Sequence, residues 1–265
     1  MKSTTDSDRY SIRAVDRAID VIQCLAAREE ALTADDITAA TGLPKSTVFR
    51  VLATLVGRGF LERDDDRQTF SFGTLALLVG VRALGNLDVR RVARPFIEQL
   101  TDATGETVHL SVLNEQSALC IDKIDSKRSV RMSSFVGFRD PLHCSGVGKT
   151  LLAFQDEEAR EALIARIGFE KHTDRTITEP AALRAHLREI VAQGYAVDRE
   201  EIEEGLSCVA APIRDHTGKV IAAISNSGPT YRLDEAAIQD LIPIVLAHAS
   251  RISTALGYLP RKSAR

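Results

Sequence analysis

The sequence predicts an α+β fold with an N-terminal winged helix-turn-helix, linker helices and a C-terminal domain that has a mainly antiparallel sheet. Apolar residues recur at helical spacing as far as Gly59, whereas from Glu106 onward short segments alternate with a period of two. Runs of strands with segregated helices are typical of α+β domains. A length of 265 residues is enough for two domains, each with its own core.

The bulk composition is that of a globular protein without targeting signals. A net charge of -3, with 27% charged and 44% hydrophobic residues, excludes a disordered or strongly basic chain. The four cysteines form no C-x-x-C pair, which indicates neither a disulfide framework nor a zinc knuckle. The N-terminus lacks the apolar core of a signal peptide, and no apolar run reaches the roughly 18 residues of a spanning helix. We therefore expect a cytoplasmic protein without membrane contact.

The first domain is predicted to contain three helices followed by a hairpin. The first covers Ala14 to Ala27, the second follows the N-cap candidate Thr33, and the third begins near Pro44 and ends at Gly57 to Gly59. A tight turn between the second and third helices makes a helix-turn-helix. The stretch FLERDDDRQTFSFG has apolar ends around a charged turn, which predicts a two-stranded wing.

The third helix has one face suited to DNA. On a helical wheel Val48 and Leu52 face the core, while the opposite face carries Ser46, Arg50 and Ala53. Small residues permit close approach to a major groove, and arginine can pair with guanine. An ordinary helical hairpin with a polar face is the alternative. The predicted DNA contacts are Pro44, Lys45, Ser46, Thr47, Arg50 and Thr54 in this helix, and Arg63 and Arg67 in the wing.

The charge around this helix limits what one copy can bind. Residues 1–58 carry eight basic and eight acidic side chains, and Asp64, Asp65 and Asp66 occupy the predicted wing tip. Phosphates would be repelled there, so a single copy is expected to bind DNA weakly. A dimer that supplies two such helices to a palindromic site is therefore required.

The second domain is predicted from alternating strands and capped helices. Strands are expected at ETVHLSVL, ALCIDKI and VRMSSFV, and CVAAPIRDHTGKVIAAIS is expected to form a hairpin that turns at Asp215 to Gly218. The predicted boundaries are a tail over 1–9, the winged helix-turn-helix over 10–72, linker helices over 73–105, the α+β domain over 106–257 and a tail over 258–265.

One helix start in this domain could bind an anion. In CSGVGKTLLA, Ser145 is a plausible N-cap, and the backbone N–H groups of Gly146, Val147 and Gly148 begin the helix. A P-loop is excluded, because that motif needs glycine five residues before Gly148 and this chain has His143 there. A capped helix packed under the sheet, without a ligand, is the alternative.

The sequence resembles the IclR family of bacterial transcriptional regulators. The resemblance is carried by LTADDITAATGLPKSTVFRVLATLVGRGFL in the first domain, and by GETVHLSVL, VGFRDPLHCSGVGKTLLA, GYAVDREEIEEGLSCVAAPI and AAISNSGP in the second. It implies a GAF-like effector-binding domain and a homodimer or dimer of dimers on operator DNA. It also implies a pocket for a small carboxylate effector, lined by Met132, Gly146, Val147, Asp198, Cys208, Ser225 and Ser227.

Ordinary structural roles remain possible for some of these residues, and enzyme motifs are absent. Cys208 could be a small buried hydrophobic residue, and Met132 could be an ordinary core residue. Asp198, which the sequence predicts in a loop after Tyr195, could cap a helix. No catalytic motif, metal-ligand spacing or cofactor fingerprint is present, so no catalytic residue, metal or cofactor is predicted. A site assembled in space from His109, His143, Cys144 and Asp198 stays open. The chain is thus expected to be a ligand-responsive DNA-binding regulator; the alternative is a small-molecule or redox sensor that signals through protein contact.

Overall fold

The computed structural model describes residues 11–26, 28, 30–84, 89–129, 132 and 134–259. The chain divides into two units, residues 1–86 and 87–265. The predicted tail over 1–9 lies outside the described residues, as does 260–265 of the predicted C-terminal tail. No helix within the described ranges combines the length and apolar character needed to cross a bilayer.

The first unit has the predicted helix-turn-helix and wing. Its elements are α1 (Arg13–Ala26), β1 (Leu32–Thr33), α2 (Ala34–Thr41), α3 (Lys45–Gly57), β2 (Leu61–Asp64), β3 (Thr69–Phe72) and α4 (Thr74–Leu84). Thr33 caps α2 in a capping box: its hydroxyl accepts from the Asp36 amide at 3.2 Å, and the Asp36 carboxylate accepts from the Thr33 amide at 3.0 Å. Gly42 ends α2 in the left-handed conformation, which permits the tight turn into α3.

The core of the first unit lies among its three N-terminal helices and the wing. Val21, Ile37, Val48, Leu52 and Leu61 are almost fully buried and pack together. The wing strands β2 and β3 pair antiparallel, and the short β1 adds to β3. This packing fixes the orientation of α3 and leaves its opposite face exposed.

The second unit contains a sheet with helices on both faces. Its elements are α5 (Val89–Thr104), β4 (Thr107–Asn114), β5 (Ser117–Ile124), β6 (Arg139–Pro141), α6 (Gly146–Ala153), α7 (Glu157–Ile164), α8 (Pro180–Gln193), β7 (Ala196–Arg199), β8 (Leu206–Arg214), β9 (Val220–Pro229) and α9 (Glu235–Ala255). Among the described residues the sheet has six antiparallel strands in the order β6-β5-β4-β9-β8-β7. The predicted α+β class with a mainly antiparallel sheet is confirmed.

Side chains along the central strands alternate between two cores, one on each face of the sheet. Val209 and Ala211 pack with α5 and α9 on one face, whereas Ala210 packs with α6 and α8 on the other. The small alanines on the α6 face let that helix approach the sheet closely. α5, which the sequence placed in the linker, packs its buried Ile97 and Leu100 into the core of the second unit.

One predicted strand differs from the structure. The described residues of the expected strand VRMSSFV, Met132 and 134–136, are not extended in the sheet, and its other positions 130, 131 and 133 lie outside the described residues. The strand of this region is instead β6, which pairs with β5 three residues later. Alternation alone could not distinguish the two, because β6 is short and its pairing depends on tertiary packing.

Candidate functional site

The exposed face of α3 carries polar side chains and one unpaired cation. Pro44, Lys45, Ser46, Arg50 and Thr54 are all exposed. Within the described part of the chain, the Arg50 guanidinium makes no hydrogen bond or ion pair, so it is available to a ligand. Lys45 forms an exposed ion pair with Asp35 at 2.7 Å, and the Thr54 hydroxyl donates to the Arg50 carbonyl at 2.8 Å.

Two residues of α3 differ from the sequence-based expectation. Thr47, predicted to contact DNA, is only 7% exposed, because it lies beside Val48 where the start of α3 packs onto the rest of the domain. Its side chain is therefore a part of the core edge rather than of the exposed face. Phe49, which is not among the predicted DNA contacts, is 51% exposed next to Arg50. The sequence feature that could have indicated this exposure is the position of Phe49 one residue after the core residue Val48.

The wing arginines are paired within the wing. The guanidinium of Arg63 donates to Gln68 and lies 3.2 Å from the Asp65 carboxylate, while Arg67 lies 4.0 Å from the Asp64 carboxylate. Asp64 also accepts from the amides of Asp66 and Arg67 at 3.0 Å, which shapes the turn. Both arginines are exposed, but their charges are partly neutralised by these neighbours.

A cavity of about 590 Å³ lies at the start of α6 in the second unit. The sheet forms one side of the cavity, where paired residues of neighbouring strands make two rows across the strands. In the first row, Asp198 pairs with Cys208, which pairs with Ser227. In the second row, Ala210 pairs with Ser225, which pairs with His109. All of the residues predicted for the effector pocket line this one cavity: Met132, Gly146, Val147, Asp198, Cys208, Ser225 and Ser227.

The N-terminus of α6 forms one wall of the cavity. Ser145 caps the helix: its hydroxyl accepts from the Gly148 amide at 3.0 Å and donates to the Pro141 carbonyl at 2.7 Å. Gly146 lies directly on Cys208 and Ala210, where any larger side chain would collide. Helix N-termini favour anions because the helix dipole is positive there. This wall therefore suits a carboxylate group.

Asp198 lies in a strand and not in the loop that the sequence suggested. It belongs to β7, and its carboxylate accepts from the Glu201 amide at 2.7 Å. Burial raises the pKa of Asp198 to about 7; the Lys149 ammonium opposes this rise and Glu201 adds to it. Burial also raises the pKa of Asp140 to about 6. Near neutral pH the protonated form of Asp198 can donate a hydrogen bond to an anion.

A buried ion pair connects α6 to the segment around β7, next to the cavity. The Lys149 ammonium of α6 is fully buried, donates to the Val197 carbonyl at 2.9 Å and pairs with the Glu201 carboxylate. Burial raises the pKa of Glu201, against the lowering effect of Lys149. The lysine of the GKT sequence thus connects α6 to β7, and its ammonium is occupied by these buried partners.

Further cavity residues were not among the predicted pocket residues. His109 in β4 is buried, its Nε2 lies 2.7 Å from the Ser134 hydroxyl, and burial lowers the pKa of His109 to about 4. Lys123 of β5, which is not a lining residue, donates to the carbonyl of the lining residue Met132 at 3.2 Å. The alternation in ETVHLSVL could have predicted a place for His109 in the cavity, because it puts His109 and Thr107 on the same face of the strand. His172, Ser134, Ser207 and Asp140 also line the cavity.

The buried thiols are poor nucleophiles. Burial raises the pKa of Cys120 to about 11 and that of Cys144 to about 12, and it raises the pKa of Cys208 as well. Because the thiolate is the reactive form, these three cysteines are protonated and unreactive near neutral pH. Redox sensing through them is therefore disfavoured.

Two family models match the chain. The model described as the IclR helix-turn-helix domain matches residues 14–65, and the model described as bacterial transcriptional regulator IclR C-terminal matches residues 81–254. Together they cover the unit that contains α3 and the unit that contains the cavity.

Relatives and solved structures of the same family match over nearly the whole chain. The HTH-type transcriptional regulator KdgR of Escherichia coli is 35% identical over 96% of this chain and 96% of its own length. The crystal structure of the Agobacterium tumefaciens repressor BlcR superposes with a TM-score of 0.82 at 26% identity, covering 94% of this chain and 99% of that one. An IclR homologue from Microbacterium hydrocarbonoxydans, complexed with 4-hydroxybenzoate, is 30% identical over 92% and 98% of the chains, with a TM-score of 0.59.

Proposed function

The chain belongs to the IclR family of bacterial transcriptional regulators, and we propose that it binds a palindromic operator and responds to a small organic acid. It acts in the cytoplasm as a homodimer or dimer of dimers. The observation that carries the proposal is the cavity at the α6 N-terminus, where a helix start and two serine hydroxyls face a buried carboxyl group.

The α3 helix supports the DNA-binding half of the proposal. Its exposed face combines small residues with the unpaired Arg50, which can form a bidentate pair with guanine in a major groove. The charges around α3 are balanced and the wing arginines are paired, so one subunit supplies little nonspecific attraction. Two copies on a symmetric site compensate for this weakness.

The cavity supports the effector half. A carboxylate placed at the α6 N-terminus would meet the positive end of the helix dipole, and the Ser225 and Ser227 hydroxyls, 3.5 Å apart, are positioned to donate to it. A relative's complex with 4-hydroxybenzoate is consistent with an acid of this kind. The volume of about 590 Å³ lies in the usual range of small-molecule pockets.

Regulation requires a difference in affinity between two arrangements of the subunits. An effector that binds both arrangements with equal affinity does not change their populations, however tightly it binds. We propose that the acid favours one placement of the paired DNA-binding domains and so changes operator affinity.

The test has two stages. First, labelled DNA from upstream of the protein's own gene is titrated with the purified chain; we expect sequence-selective binding that weakens with salt. Second, small carboxylates are screened by thermal shift, since a binder at 100 times its Kd stabilises the fold by about 2.7 kcal/mol.

A matched pair of variants then locates the effector site. The double variant Ser225→Ala/Ser227→Ala should lose the effector's influence on DNA binding, while the exposed control Ser250→Ala should keep it. DNA binding without sequence preference would overturn the regulator proposal. An unchanged response in the double variant would show that the effector binds elsewhere.

A further inference from the structure

A phenyl ring lies in water on the exposed face of α3. Phe49 is 51% exposed, although it is a large apolar residue inside the helix. Within the described ranges its ring contacts no other aromatic ring and no cation. By contrast, Phe72 of the wing, which is 42% exposed, meets Phe60 edge to face with ring centroids 6.2 Å apart. Folding of the chain therefore leaves much of the Phe49 ring without a partner of its own kind.

Helical spacing places the exposed residues of α3 in two neighbouring rows. Residues four positions apart lie one above the other on the same side of a helix. One row contains Lys45, Phe49 and Ala53, and the other contains Ser46, Arg50 and Thr54; all six are exposed. The side chain that follows Phe49 in its row, Ala53, is small and does not cover the ring. The ring is therefore open to a flat surface that approaches this face.

The charges around Phe49 indicate which kind of partner fits. α3 contains no acidic residue, and the cationic side chains of Lys45 and Arg50 flank the ring. A second copy of this face would bring like charges together, whereas a DNA groove supplies phosphates to the cations. The apolar group that base pairs present in the major groove is the C5-methyl group of thymine, and phenylalanine is one of the side chains that contact it.

We propose that Phe49 recognises a thymine methyl group in the major groove, close to the guanine that pairs with Arg50. Because the two residues are consecutive, their side chains leave the helix about 100° apart and reach different base pairs. The same face of α3 thus reads one base by hydrogen bonds and another by apolar contact. This inference rests on the proposed function, since it requires a specific operator.

Deoxyuridine tests the contact, because it pairs as thymidine does and lacks only the methyl group. The probe is the shortest duplex that the full chain binds selectively, with thymidine replaced at one symmetric pair of positions at a time. At one such pair we expect the affinity of the wild type to fall by about fourfold per methyl group, the factor that burial of one methyl-sized group contributes. Phe49→Ala should bind both versions of that duplex equally in fluorescence anisotropy.

Matched variants separate this contact from a general loss of binding. Phe49→Leu keeps an apolar side chain and should retain part of the methyl dependence. Phe135→Ala replaces another exposed phenylalanine, in the second unit, and should retain all of it. Circular dichroism should show that Phe49→Ala is folded, since the ring is exposed.

The outcomes distinguish this inference from the regulator proposal. Equal methyl dependence in the wild type and in Phe49→Ala, or no dependence at any thymine of a selectively bound duplex, would overturn the role of Phe49 alone. A loss of affinity in Phe49→Ala that is the same on all duplexes, with the methyl dependence retained, would also overturn it. Binding without any sequence preference would overturn both proposals.

Discussion

Gly146 packs so closely on Cys208 that a Cβ at residue 146 would overlap the Cys208 sulfur. The next nearest atom, the Ala210 Cβ, would be 3.3 Å away. This contact holds the first turn of α6 against the strand β8. It thereby brings the helix N-terminus to the row formed by Asp198, Cys208 and Ser227, where the proposed carboxylate binds.

We therefore predict that Gly146→Ala destabilises the second unit and weakens effector binding. The added methyl group must displace α6 or the Cys208 side chain, and overpacking of this kind costs about 1–3 kcal/mol. Urea denaturation followed by circular dichroism measures the loss. Gly168→Ala is the matched control, because a Cβ at Gly168 meets nothing within 4 Å.

The contact with Cys208 should be the cause of that loss. Adding Cys208→Ala to Gly146→Ala removes the colliding sulfur, so the double variant should recover stability relative to the sum of the two single effects. Additive losses would mean that another contact of residue 146 is responsible.

A second prediction concerns the buried pair between Lys149 and Glu201. Lys149→Met leaves the Glu201 carboxylate buried without its cation, and removing one partner of such a pair costs about 3–5 kcal/mol. Thermal unfolding should show a large fall in Tm. Lys149→Met combined with Glu201→Leu should recover most of it. Lys171→Met, which breaks the exposed pair with Asp174, should leave Tm unchanged.

A third prediction concerns Arg50. Because its guanidinium is exposed and unpaired in the described structure, Arg50→Ala should cost about 1–3 kcal/mol on the cognate operator and much less on random DNA. Fluorescence anisotropy with both DNAs gives the difference. Arg67→Ala, in the wing, should weaken binding to both DNAs equally and slightly. An equal loss on both DNAs for Arg50→Ala would assign Arg50 to phosphate contact.

The elements that were predictable from sequence are those with local signals. The α2 start at Thr33 and the hairpin of β8 and β9 depend on caps, alternation and turn residues close in the chain. The burial of Thr47 could not be predicted in the same way, because it depends on what packs against the first turn of α3.

The arrangement of the cavity required tertiary information. β7 has four residues without clear alternation, so the sequence predicts a loop at Asp198, although Asp198 pairs with Cys208 in the sheet. His109 meets Ser225 only because β4 pairs with β9, more than a hundred residues later. Likewise, the approach of His172 to His143 and Cys144 depends on how the segment before α8 packs. Pairings between distant segments are not fixed by any local pattern.

The last prediction concerns the pH dependence of effector binding. Burial raises the pKa of Asp198 to about 7, with Lys149 lowering it and Glu201 and Asp140 raising it. Below this pH the neutral carboxyl donates to an effector carboxylate; above it, two negative charges repel each other. Affinity for an anionic effector should therefore fall as pH rises through about 7.

The raised pKa of Asp198 also makes the stability of the folded protein depend on pH. The pKa of Asp198 in the folded state lies above its ordinary value of 3.8, so ionisation is disfavoured in the fold. The free energy of unfolding should decrease as pH rises from about 4 through about 7. Asp140, with a pKa of about 6, contributes over the lower part of this range.

Asp198→Asn isolates the contribution of this group. Asparagine keeps a hydrogen-bond donor and cannot ionise, so calorimetric titration with the effector should give an affinity that no longer falls as pH passes through about 7. His109, whose pKa of about 4 keeps it neutral across that interval, cannot produce the wild-type trend. An identical pH profile in the wild type and in Asp198→Asn would assign the dependence to another group of the cavity.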